Sequence, residues 1–327
     1  MFEEQSESNT NAETIKTSII AISNDEQIDL FDLETMTKVG EIQHDIDDGE
    51  IFAIGITAND REIICSYKSG ALVVQNIGLF CPSRKANYRP HLRVANSSLK
   101  PSSFAITTNC QNISFAVGYE SGLIHLHTFT GKFQNIYDYD KFMIYTSVDI
   151  VAGTIPIKHL SFSNNGLYLV SQSNQTCIWD ISSGKMRTRF FSTKMHSICL
   201  TNSDELYYTT FNKHTHNHLL HCLNIQSNSI HTIKCAANTH IVISPNEKEF
   251  LTFDQDQIIK WSSDFFEQKF KFACNRIDSV YYAPNGKEII ILLYNNQILK
   301  VNSNSEITRQ ITNYDPNRLI LIAVSNN

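Results

Sequence analysis

No window of this 327-residue chain reaches the roughly 18 consecutive apolar residues that a membrane-spanning helix needs, so no membrane insertion is expected. Met1 to Glu13 carry neither a basic stretch nor an apolar run, and so do not read as a secretory signal. Long Ala/Glu/Lys/Leu-rich stretches are absent, which removes the case for long helices. Charge is sparse at 18%, and Asn, Ser, Thr and Gln fill the polar positions. The net charge of -6 leaves no global basic field to attract nucleic acid. The eight cysteines are scattered, with no C-x-x-C pair, and predict buried reduced thiols of an intracellular protein, cytoplasmic or nuclear. No Pro/Gly/Ser-rich linker or charge block divides the chain. One domain over 15–327 is expected behind a disordered tail, 1–14. The G-x-S-x-G, G-x-x-x-x-G-K, G-x-G-x-x-G and H-E-x-x-H motifs are all missing. The expectation is a non-catalytic protein with no cofactor, no metal and no small-molecule substrate.

What is present is short and repetitive. Hydrophobic residues make up 42% of the chain, enough for a core. They fall in runs of β-branched and aromatic residues bounded by turn formers, the signature of strands. Ile51 to Thr57, Glu62 to Tyr67 and Ala71 to Ile77 form one such set, with turns at Ala58-Asn59-Asp60 and Ser69-Gly70. Third strands of successive sets end at Asp32, Asn76, Thr128, Asp180, Asn224, Ser262 and Asn302. Their spacings are 44, 52, 52, 44, 38 and 40 residues. A period of about 40 to 45 with four strands per unit marks a propeller repeat. The two long intervals are assigned to a loop at Gly78 to Lys100 and an insertion at Gln134 to Gly153, in which Tyr137 to Ile150 is expected to be extended.

The stretch Gln175 to Lys185 holds the dipeptide Trp179-Asp180 at the end of a third strand, with Gly184 closing the turn. Phe31-Asp32 keeps its Asp, and Trp261-Ser262 keeps its Trp. With the period, these residues resemble the WD-repeat β-propeller family over nearly the whole chain. The resemblance implies an all-β fold: a seven-bladed β-propeller of four-stranded antiparallel blades, with Trp179 and Trp261 packed between blades. Sheets stacked radially bury faces that one sheet alone cannot. Leu319-Ile-Leu-Ile-Ala-Val-Ser, within Arg318 to Asn327, has no unit of its own, and the first unit lacks a first strand. The C-terminal strand is therefore expected to complete the first blade and close the ring. The family resemblance further implies a rigid interaction scaffold, a subunit of a larger complex whose partners are proteins.

Three charged or histidine-rich clusters stand out. His214, His216, His218 and His221 lie close together, but their spacing is poor for structural zinc and they read as an exposed hairpin tip. Arg84, Lys85, Arg89 and Arg93 interleave with Tyr88 and His91, a pattern that suits phosphate or single-stranded RNA as well as protein. Lys185, Arg187, Arg189 and Lys194 form a smaller basic group. Asp45, Asp47, Asp48 and Glu50 read as a solvated loop between units. Loops 78–100, 134–153 and 212–218 are the expected docking elements. Arg84, Lys85, Tyr88, Arg89, Arg93, Tyr137, Tyr139, His214 and His216 are the nominated contacts. The alternative is an RNA-associated propeller that uses the basic 84–100 loop.

Overall fold

Runs rich in Ile, Val, Leu, Tyr and Phe, punctuated by Asn, Asp, Ser and Gly, form strands from one end of the chain to the other. The computed structural model describes residues 18–23, 27–43, 49–57, 62–77, 91–96, 98–107, 113–130, 144–190, 195–212, 215–237, 239–264, 266–312 and 321–324. It begins with β1 (Ile19–Ser23), β2 (Gln27–Asp32) and β3 (Lys38–Gln43). Next come β4 (Ile51–Ile56), β5 (Glu62–Tyr67), β6 (Ala71–Asn76) and β7 (His91–Asn96). Then follow β8 (Pro101–Ile106), β9 (Ile113–Tyr119), β10 (Leu123–Thr130) and β11 (Ile144–Val151). The fourth group is β12 (His159–Phe162), β13 (Tyr168–Gln172), β14 (Thr176–Asp180) and β15 (Met186–Phe190). The fifth is β16 (Met195–Leu200), β17 (Glu205–Asn212), β18 (Asn217–Asn224) and β19 (Ile230–Cys235). The sixth is β20 (His240–Ile243), β21 (Glu249–Phe253), β22 (Gln257–Ser262) and β23 (Gln268–Ala273). The last strands are β24 (Ile277–Tyr282), β25 (Ile289–Leu293), β26 (Ile298–Val301), β27 (Ile307–Ile311) and β28 (Leu321–Val324).

These strands form seven four-stranded antiparallel sheets, each in chain order except the first. That sheet runs β28-β1-β2-β3, with Ile20 opposite Val324 and Ser23 opposite Leu321. The C-terminal strand thus supplies the innermost strand of blade one and closes the ring, as the orphan apolar stretch suggested. First strands of neighbouring blades pack against one another around the axis. Strands alternate in direction, so first and third strands run the same way. First strands therefore begin on one face, the leading face, which also carries the second-to-third connections. The trailing face carries the first-to-second and third-to-fourth connections.

Packing explains the near-continuous apolar runs. Successive strand residues point to opposite faces of a sheet, and in a blade both faces are covered. In β1, Ile19 and Ala21 pack toward blade two, while Ile20 and Ile22 pack toward blade seven. Seven buried clusters result, one in each gap between blades. Each fully buried Ile or Phe in them is worth about 1.5–3 kcal/mol relative to exposure.

The third-strand anchors have a local physical role. Asp180 Oδ1 accepts from Ser183 N at 2.8 Å and Ser182 Oγ at 2.6 Å. Asp32 Oδ1 accepts from Thr35 N at 2.7 Å, and Asn224 Oδ1 from Ser227 N at 2.9 Å. Only a short side chain ending in an acceptor reaches these turn amides. The turn also requires a left-handed residue four positions on. Gly184 takes it at φ 64°, but Met36, Asn228 and Phe266 adopt it too. Phe266 gains a ring cluster in exchange, with its centroid 4.3 Å from His231 and 5.6 Å from Phe250.

Three expectations about loops need correction. The interval 78–100 is not one loop: His91–Asn96 is β7, paired with β6, so Arg93 stands in a strand. In the interval 134–153, residues 144–150 are extended as expected but are not an insertion, since Ile144–Val151 is β11, paired along the whole of β10. The 212–218 loop shrinks as well, because Asn212 pairs with Asn217 and Phe211 with His218. In the first two cases the residues form the outer edge of a sheet, and in the third they lengthen the hairpin between the two middle strands of blade five.

Candidate interaction surfaces

The leading face carries a feature that only the fold assembles. His159 opens β12, His196 is the second residue of β16, and His240 opens β20. Each therefore stands where an innermost strand begins, and Asp278 holds the matching place on β24. Their sequence numbers differ by 37 and 44, one repeat length each time. Burial, then His240, Lys158 and His196, hold His159 below the ordinary imidazole value. Burial, then His196, does the same to His240, against an opposing pull from Asp278. Both rings are thus neutral near pH 7, with one nitrogen donating and one accepting. The His240 ring also stacks on Phe253 at 5.2 Å.

Further along, toward the trailing face, Phe104 and Ile106 of β8, Leu160 and Phe162 of β12, and Ile241 and Ile243 of β20 line a cavity of about 280 Å³, which Ser161 and Asn164 also line. Cys199 also lines it, and its Sγ donates to Ile241 O at 3.3 Å. Burial pushes that thiol up to about 12, so it is a protonated, poorly nucleophilic group at neutral pH. Beside the rim, Phe211 holds His218 at 4.8 Å and His216 at 6.3 Å, and His218 lies 6.1 Å from His196. The surface is a set of imidazole rings interleaved with Phe211 and Phe253.

Of the nominated contacts, only Arg93 and His216 fall among the described residues. Arg84, Lys85, Tyr88, Arg89, Tyr137, Tyr139 and His214 lie outside the described residues. Asn76 and His91, and Thr130 and Ile144, bracket third-to-fourth connections on the trailing face. His216 sits on the leading face, exposed, at φ 52°. Two other histidines of the His214–His221 cluster have separate partners. His221 is committed to Thr210 and Thr232, each at 2.9 Å, while His218 packs on Phe211. Among the described residues no group of three His, Cys, Asp or Glu is arranged to hold a metal ion.

Two other clusters are structural. Arg187 donates twice to Asp204, at 2.6 and 2.9 Å, and covers the Tyr168 ring at 4.6 Å. It staples blade four to blade five. Glu50 pairs with Lys68 on the leading face, whereas Asp45, Asp47 and Asp48 lie outside the described residues. Trp179 Nε1 donates to Ser171 Oγ and Trp261 Nε1 to Thr252 Oγ1, both at 2.8 Å. Both tryptophans pack in the clusters between blades.

The rim was missed because its members are 37 and 44 residues apart. Aligning the repeats at their first strands, rather than scanning for dense motifs, would have revealed three histidines in phase.

Fold and surface together define a seven-bladed β-propeller. No protein-family model and no curated protein matches the sequence. Solved structures do. A chain in the crystal structure of the mitotic checkpoint complex is 12% identical with a TM-score of 0.62, covering 86% of each chain. Chaetomium thermophilum Sqt1, bound to the N-terminus of ribosomal protein L10, is 12% identical with a TM-score of 0.63, covering 92% of this chain and 89% of that one. At such identity the likeness is one of fold, and at that level the resemblance to WD-repeat propellers holds. Among the described residues no helix is long and apolar enough to cross a membrane.

Proposed function

We propose that the chain is a non-catalytic protein-interaction propeller, a subunit of a larger intracellular assembly, with its main partner seated on the leading face. The observation that carries this reading is the rim of His159, His196 and His240, one at the start of each of three successive innermost strands on the leading face. Imidazoles supply donors and acceptors for a peptide backbone, and the Phe253 and Phe211 rings beside them offer apolar contact. The blades fix this surface in advance, which lowers the ordering cost of binding. Two propellers of similar fold support the reading, since one is seen in a multi-protein complex and the other holds the N-terminus of a ribosomal protein.

The test is quantitative affinity purification of the tagged full chain, beside His159→Asp/His240→Asp. Wild type is expected to recover a stoichiometric protein partner, and the double variant to lose it by about ten-fold or more, since about 1.4 kcal/mol suffices for that. Recovery should change little with added salt, because phosphate contacts are not its basis. Recovery of RNA with steep salt dependence, or of no stoichiometric partner, contradicts the proposal.

A further inference from the structure

The seven outermost strands are the free edges of the propeller, and one of them differs from the rest. An edge strand offers a row of unpaired N–H and C=O groups, and proteins guard such edges with basic residues and short lengths. Six of the seven follow that rule. They carry Lys38 in β3, Arg93 in β7, Arg189 in β15, Lys234 in β19, Lys269 in β23 and Arg309 in β27, and each is five or six residues long. The exception is β11, Ile-Tyr-Thr-Ser-Val-Asp-Ile-Val, with eight residues and no Lys or Arg. Among the described residues nothing pairs with its outer side. Val151 is 75% exposed and Val148 is exposed as well, beside the Gly184 turn of blade four.

We propose that β11 receives an extended, basic, β-branched segment of a partner protein by strand addition. The inference rests on the protein-interaction reading and names a second surface, on the rim of the ring. The chemistry of the edge selects the occupant. A row of backbone donors and acceptors about 27 Å long accepts only another extended chain. Exposed Val148 and Val151 favour β-branched or aromatic neighbours across the new pair. The one charged side chain on the strand is Asp149, 68% exposed, and its nearest ionisable neighbour is His125 at 3.4 Å. Burial holds His125 below the ordinary imidazole value, so that ring is a weak counter-charge near pH 7. A basic residue opposite it is favourable. A second copy is not, because the chain carries a net charge of -6 and a self-pair centred on Asp149 sets two carboxylates face to face.

The experiment titrates the full chain with a labelled, capped peptide that alternates valine with threonine and lysine. A matched peptide has glutamate in place of lysine. Saturable one-to-one binding of the lysine peptide is expected, with backbone amides of 144–151 protected from hydrogen exchange. Val148→Lys, which gives β11 the guard its counterparts have, should weaken binding by about ten-fold or more, as should the glutamate peptide. Thr146→Lys, at a second exposed position, should act alike, and circular dichroism melts should show both variants folded. Absence of saturable binding, or binding indifferent to Val148→Lys or to peptide charge, overturns the inference. So does a concentration-dependent dimer in sedimentation that Val148→Lys abolishes, which would assign the edge to a second copy. If the affinity purification still recovers its partner while the peptide fails, this inference falls and the protein-interaction reading stands.

Discussion

Blades three and four are neighbours built on one plan, and they diverge at two matched places. The residue before the third-strand anchor is His127 in blade three and Trp179 in blade four. Both are buried, and each stacks on or bonds to a strand beside it. Trp179 satisfies its one polar atom with Ser171, while His127 lies on the Phe115 ring at 4.8 Å. The outermost strands differ too: β15 carries Arg187 and Arg189, and β11 carries no basic residue. The inner positions are held to shape by packing on both faces, so one ring replaces another there. The outer edge has no such obligation and is free to specialise.

Truncation of the blade-four ring should have the largest effect. Trp179→Ala leaves a cavity between blades three and four and strips Ser171 of its partner, at a cost of about 3–5 kcal/mol. Urea unfolding followed by circular dichroism measures it. A loss under about 1 kcal/mol would mean that this ring does not hold the two blades together.

The blade-three ring should instead make stability depend on pH. Burial, then His125, holds His127 down to about 3, against an ordinary value of 6.5. Below pH 6.5 the unfolded chain therefore binds more protons than the folded one. Stability then falls as pH falls, by about 1.4 kcal/mol per pH unit for one full proton, until the folded value is reached. The share of His127 between pH 7 and pH 5 is about 2 kcal/mol, and His127→Phe should remove it. Equal pH dependence in wild type and variant would show that this histidine is not the buried neutral ring described.

Much of this fold was legible in the sequence because the second strand of each blade is largely buried on both sides. Their apolar runs are strong: all five residues of β1 and of β25 are buried. The anchors Asp32, Asp180 and Asn224 were legible for a different reason, since their turns need a short acceptor. The fourth strands were not. In β3 and β23 only alternate residues are even half-buried, and in β27 only Ile311 is buried. β7 is weakly apolar in sequence and was assigned to a loop, whereas β11 was assigned to an insertion on the length of its interval. The histidine rim was hidden by its repeat-length spacing, whereas the dense His214–His221 run drew attention, and within it the fold gives His218 and His221 separate partners.

The central claim is that a rigid propeller holds protein partners at defined surfaces. Hydrogen exchange on the full chain, alone and within its purified complex, tests that most directly. Protection is predicted at the starts of β12, β16 and β20 and along β11, with β23 unchanged as the guarded edge. Exchange that is identical in the free and complexed chain over all of these strands would contradict the account.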